Sequence, residues 1–297
     1  MERVASREDI ERALGFALSE FRRLPGGSSP NFKAVRASDG LPFLAKFLPD
    51  NRRWAYPVLV SHCRELAGEK IAHRVFEDAP EKIGDRFFIC LEWCEGRQMM
   101  PDELSEEGLK AFLRDYLEFS DALQKVSFAV PEDPFLKWRD GILAIERGSA
   151  APVRRFVERE IPEDAVARRP ELSKKVYGDF HHGNVLFRDG RVYRYLDLES
   201  IGIGYPSDDI VRYFACAMEH LPFGGFYRKR RMLDAFARAV KFLPYSLHEW
   251  EAAINAAILR KMDGRLEDEF SMFVMANLLY RTRFYLDLKS VARSILQ

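Results

Sequence analysis

Three oxygen-bearing side chains in Y-G-D-F-H-H-G-N-V-L-F-R-D-G-R-V-Y-R-Y-L-D-L-E, residues 177–199, have types and spacing that could do chemistry: Asp179, Asn184 and Asp197. Two short β-prone runs, 185–187 and 192–196, flank Asp189-Gly190, a strong hairpin turn signal. The hairpin folds the chain back and returns Asp197 to the neighbourhood of Asn184. An amide oxygen and a carboxylate converging this way suit magnesium, which takes oxygen ligands and is held by one or two protein groups plus substrate phosphates. Asn184 and Asp197 fit that role. Asp179 is then left to orient a hydroxyl and accept its proton as the hydroxyl attacks phosphorus.

The spacing D-x-x-x-x-N alone is a weak signal, because Asp and Asn are common turn residues. His181 and His182 beside Asp179 raise the alternative of a metal hydrolase, but no second His/Asp cluster has ligand spacing. More specific is the order, that of a kinase catalytic loop followed by a metal-binding Asp. The segments G-D-F-H-H-G-N-V-L-F and L-D-L-E-S-I-G-I-G-Y-P-S-D-D-I resemble the aminoglycoside phosphotransferase and choline kinase-like family. Its pattern is G-D-x-x-x-x-N, then I/L-D-x-E, then G-x-P-x-x-D. Asp179, Asn184, Asp197, Glu199, Gly204, Pro206 and Asp209 fall on it, while Tyr177 stands where the family usually has His.

The resemblance runs from about Gly26 to Asp209. It implies a protein-kinase-like bilobal fold of the α/β (α+β) class, with a small antiparallel sheet lobe over residues 1–96 and a larger, mainly helical lobe over 97–297. It further implies ATP and Mg2+ as cofactors, with GTP left open, and transfer of the γ-phosphate to a hydroxyl of a small molecule. His181 could then contact the transferred phosphoryl group, and Asp209 would secure the scaffold.

The elements that must position these groups are legible upstream. Residues 6–21 show helical spacing at Ile10, Leu14, Ala17 and Phe21 behind a Ser6 cap. After the break at 24–31, F-K-A-V-R-A and L-P-F-L-A-K-F-L are two strands of a hairpin. Ser28 and Ser29 lie in the small-residue turn before it, where backbone N–H groups could approach a nucleotide's phosphates. Lys46 sits inside an apolar strand, and a buried ammonium wants a partner. The kinase reading supplies one from a helix over residues 58–77, which carries Glu65 and Glu69 four apart; the resemblance favours Glu69. Residues 86–96 are an apolar strand entering a polar turn. They resemble the family's interlobe hinge, which makes the Glu92 carbonyl and the Cys94 N–H candidates for the adenine edge.

Past the hinge, Ser105 caps a long amphipathic helix, further amphipathic pieces occupy 131–176, and four helices follow Asp209. The acidic run Asp263, Glu267, Asp268 and Glu269 suits a cationic acceptor or, more simply, a solvated face. Lys plus Arg and Asp plus Glu number 46 each, which leaves no electrostatic footprint for nucleic acid. Four scattered cysteines form no disulfide framework and fit free thiols in a reducing cytoplasm. The charged N-terminus and short apolar runs predict a cytoplasmic protein with no membrane partner. Oligomeric state is left open.

Two rivals remain at this stage, a catalytically idle nucleotide-binding regulator and a protein kinase. Against the second, G-x-P-x-x-D follows Asp197 almost at once and leaves no room for a long activation loop.

Overall fold

The computed structural model describes residues 6–25, 30–48, 55–67, 71–76, 79–125, 135–145, 150–163, 174–205, 207–221, 225–263 and 272–297. Helix α1, Arg7–Leu14, opens on a reciprocal capping box between Ser6 and Asp9 and closes at Gly15, whose φ of 73° is left-handed. The helix predicted to reach Phe21 therefore stops seven residues early. Strand β1, Leu18–Arg23, takes over and pairs antiparallel with β2, Asn31–Arg36, so Phe21 stacks on Phe32 at 4.5 Å from a strand. A ladder of long-range hydrogen bonds outweighs the local helical spacing.

Strands β3, Pro42–Phe47, β4, Lys82–Ile83, and β5, Arg86–Glu92, complete an antiparallel sheet in the order β1-β2-β3-β5-β4. Helix α2, Ala55–Ala67, packs beside it. The helix predicted over 58–77 also ends early. After a bend at 71–72, residues 74–76 run along β5, where Phe76 N–H donates to Cys90 O at 3.0 Å and Glu92 N–H to Arg74 O at 2.8 Å.

Period-two alternation divides the sheet's two faces. Phe43, Ala45 and Phe47 of β3 join Phe88 and Cys90 of β5 in a small core with Ile10 of α1. Ile89 and Leu91 face the other way, into the large core shared with α2 and the later helices. Lys46 stands in register with Ile89 and is buried.

The C-terminal part is mainly helical: α3, Glu106–Lys125, α4, Phe135–Leu143, α5, Ala151–Glu160, α6, Asp208–Glu219, α7, Phe226–Phe242, α8, Leu247–Asp263, and α9, Met272–Leu296. No described helix is long and apolar enough to cross a membrane. Among the helices lie two antiparallel pairs, β6, Lys174–Val176, with β9, Gly202–Gly204, and β7, Val185–Arg188, with β8, Arg191–Tyr195. Asp189 and Gly190 take φ of 51° and 77°, the two positive values a tight hairpin turn demands.

The loop between β6 and β7 is anchored from below. Phe180 is fully buried against the rings of Phe112, Tyr116, Tyr177, Tyr195 and Tyr213, with centroids 5.3 to 6.0 Å away. Buried Asp209 accepts from the N–H groups of Tyr177 and Gly178 at 2.9 Å each. Gly178 has φ of 81°, and a Cβ there would lie 2.2 Å from Ser200 O. Gly190 has nearly the same φ but open space around it. We therefore expect Gly178→Ala to destabilise by about 3 kcal/mol or more, and Gly190→Ala by about 1 kcal/mol from conformation alone. Thermal unfolding checks this: the first variant should lose roughly 6 °C or more in Tm and the second roughly 2–4 °C.

Candidate active site

A cleft of about 910 Å³ opens between the sheet and the β7–β8 hairpin. Leu44, Leu91 and Cys94 line one side, and Asp179, His181, Asn184 and Asp197 the other. The three residues singled out by chemistry thus share one cavity.

Asp179 is held on both carboxylate oxygens. Arg212, from α6, donates to Oδ1 at 2.5 Å, while Asn184 Nδ2 donates to Oδ2 at 3.3 Å and to the Asp179 carbonyl at 3.1 Å. Asn184 is itself fixed by its backbone, its N–H donating to His181 O and its carbonyl accepting from Leu196 N–H, both at 2.9 Å. Through that second bond the hairpin returns the chain to Asn184. His181 Nδ1 accepts from Gly183 N–H at 3.1 Å, which leaves Nε2 as the protonated nitrogen, 3.8 Å from Asp179 Oδ2. Burial lowers the His181 pKa against the pull of Asp179. Burial, helped by His220 and His181, takes His182 down to about 4.

Asp197 adopts a left-handed backbone, φ 52° and ψ 55°, uncommon for a residue other than glycine. Its carboxylate meets Lys46 Nζ at 2.6 Å and is 46% exposed, so an oxygen remains available to the cleft. The second partner of Lys46 is Glu199, at 3.5 Å. Burial works against the charge of Lys46, but Asp197 and Glu199 outweigh it and hold its pKa above the ordinary lysine value. Burial pushes the Glu199 carboxyl up against the pull of Lys46, and Glu199 Oε2 is buried without a hydrogen-bond partner among the described residues.

Of the two glutamates expected as partners of Lys46, only Glu65 lies among the described residues. Glu65 is exposed, because the face α2 turns inward carries His62, Cys63 and Leu66. His62 Nδ1 donates to Leu198 O at 2.6 Å, so α2 braces the 197–199 turn through His62. Cys63 borders the cleft, and burial raises its thiol to about 12. Glu69, Ser28 and Ser29 lie outside the described residues, as do Pro206 and the acidic run 267–269. At the hinge, the Glu92 carbonyl accepts from His73 Nδ1 at 2.7 Å, whereas the Cys94 N–H has no acceptor among the described residues.

Among the described residues no three His, Cys, Asp or Glu side chains are grouped to hold a metal. The pair Asn184 and Asp197 supplies hard oxygen donors, which fits magnesium sharing its shell with phosphate and water.

The profile of the phosphotransferase enzyme family matches residues 20–250, and the chain belongs to that family. Among solved structures it is similar to aminoglycoside phosphotransferase APH(2'')-Ib with ADP bound, at a TM-score of 0.64 and 16% identity over 96% of this chain and 99% of that one. The streptomycin–ATP–APH(2'')-IIa ternary complex matches at 0.60 and 17% over 96% and 99%. Macrolide 2'-phosphotransferase MphH from Brachybacterium faecium matches at 0.55 and 15% over 94% and 95%. The shared protein-kinase-like fold is thereby shown. No curated protein sequence matches.

Glu199 lay within the sequence pattern without a role, whereas Arg212 and His73 carried no local signal at all. The Lys46 cluster has a measurable consequence. In Lys46→Met the raised folded-state pKa of Glu199 loses what opposed it, so stability present at low pH is lost as pH rises above the ordinary carboxylate range. Urea unfolding should show a deficit of about 3 kcal/mol at pH 8 and a smaller one at pH 5. Lys46→Met with Glu199→Gln should recover part of the loss and flatten the pH dependence.

Proposed function

We propose that the protein transfers the γ-phosphate of ATP to a hydroxyl of a small molecule of the aminoglycoside, amino alcohol or sugar class. The observation that carries the reading is the convergence of Asp179, Asn184 and Asp197 on one cleft, with Lys46 bonded to Asp197. Family membership sets the reaction type and the geometry supports the roles. In this reading the sheet part, to about Gly96, binds the nucleotide, and the remainder of the chain binds the acceptor in the cytoplasm.

Arg212 occupies Oδ1 of Asp179, so Oδ2 receives the acceptor's proton. Asn184, donating weakly to that oxygen, keeps the carboxylate turned toward the cleft. Asn184 and Asp197 hold magnesium, which when bound offsets negative charge on the β- and γ-phosphates. Lys46, already oriented by Asp197 and Glu199, presents its ammonium to the phosphates, and His181 Nε2–H is placed to donate to the transferred group.

Asp179→Asn should lower turnover by roughly two to three orders of magnitude while nucleotide affinity stays near wild type. ADP release measured against a panel of amines, amino alcohols and sugars tests this, and more than a tenth of wild-type activity would remove Asp179 from the role. A regulator without catalysis would release no ADP with any acceptor.

Asp197→Ala separates metal binding from nucleotide binding. A carboxylate beside triphosphate is repulsive unless a cation lies between them. Calorimetric ATP titrations with magnesium and with chelator should therefore differ markedly in wild type and much less in the variant. Equal magnesium dependence in both proteins would mean that Asp197 is no metal ligand.

A further inference from the structure

The wall of the cleft formed by residues 71–76 and β5 carries a polar side chain with no part in the phosphoryl chemistry. His73 is 6% exposed and borders the cleft. A carbonyl oxygen only accepts hydrogen bonds, so the 2.7 Å contact with Glu92 O places the imidazole proton on Nδ1. Burial lowers the His73 pKa and keeps the ring neutral at pH 7. Nε2 therefore holds a lone pair, and among the described residues nothing donates to it. A ligand in the cleft that bears a hydrogen-bond donor would satisfy that lone pair.

The same bond changes what the hinge offers. The Glu92 carbonyl accepts from His73 Nδ1 with one of its two lone pairs, and the far nitrogen of the imidazole adds an acceptor to the same wall. The Cys94 N–H, on the same wall, is a donor without an acceptor among the described residues. An acceptor and a donor together complement the amino group and ring N1 of adenine. Guanine presents the reverse pattern, a carbonyl oxygen and a ring N–H, and so would set lone pair against lone pair. Leu44, Leu91, Leu186 and Leu196 supply apolar cleft walls that suit a flat base.

We propose that His73 Nε2 reads the exocyclic amino group of the nucleobase, so that the cleft takes adenine nucleotides in preference to guanine nucleotides. This assignment rests on the nucleotide-dependent transfer proposed above, and it settles which purine serves the site.

Calorimetric titration of the full-length protein, with magnesium, compares ATP, GTP and purine riboside triphosphate, in which hydrogen replaces the amino group. Wild type should bind ATP about tenfold more tightly than the des-amino analogue, the worth of one well-made buried hydrogen bond, and GTP more weakly still. His73→Phe keeps an aromatic ring but removes the acceptor. It should erase the ATP advantage while leaving affinity for the analogue within about twofold, a split that mere loosening of the wall would not produce. His73→Gln can donate to Glu92 O and still accept a hydrogen bond, so it should restore part of the preference; it also decides the matter if His73→Phe does not fold. Equal binding of ATP and the analogue by wild type, or equal weakening of both in His73→Phe, would overturn the proposal. Failure of the underlying reading looks different: wild type would then bind none of the three triphosphates.

Discussion

The ion cluster of Lys46 with Asp197 and Glu199 is the constraint on which the rest of the structure depends. A lysine on the cleft face of β3 stays charged in a buried position only if carboxylates come to it, and both come from the turn that follows β8. One cluster therefore ties the sheet to the hairpin and sets the width of the cleft between them. Other features serve that meeting. The left-handed backbone at Asp197 turns its carboxylate toward the sheet, and His62 of α2 holds the Leu198 carbonyl of the same turn.

Beneath the cleft, apolar packing gives the polar loop its precision. Phe180, next to Asp179, is locked among five aromatic rings, and Asp209 grips the two backbone N–H groups just before it. Asp179 and His181 thus project from a loop whose base cannot shift without breaking the core. Arg212 comes from α6, the helix whose first turn supplies Asp209, so the scaffold carboxylate and the cation that orients Asp179 are placed by one element.

The cleft is electrostatically divided. Around Asp179 and Asp197, negative groups are balanced by Arg212 and Lys46, an arrangement suited to polyanionic phosphates with a metal ion between. Toward residues 91–96, burial keeps His73 neutral, and Leu44, Leu91 and Leu186 add apolar surface beside Glu95.

What the sequence determined by itself is what short-range physics controls. Asp-Gly specifies the hairpin turn through two positive φ angles, Ser6 and Asp9 form their capping box within one turn, and D-x-x-x-x-N places Asn184 beside Asp179 through a five-residue loop. The alternation of β3 likewise marks Lys46 as a charge among apolar neighbours. Tertiary structure decided the partners. The bond from Lys46 to Asp197 spans 151 residues, and no local pattern could choose Glu199 over a glutamate on α2. Arg212 reaches Asp179 across 33 residues and His73 reaches the Glu92 carbonyl across 19, each by packing of separate elements. Residues 18–23 and 74–76 became extended for the same reason: each gains a hydrogen-bonded neighbour distant in sequence, and that gain exceeds the modest preferences encoded in its own residues.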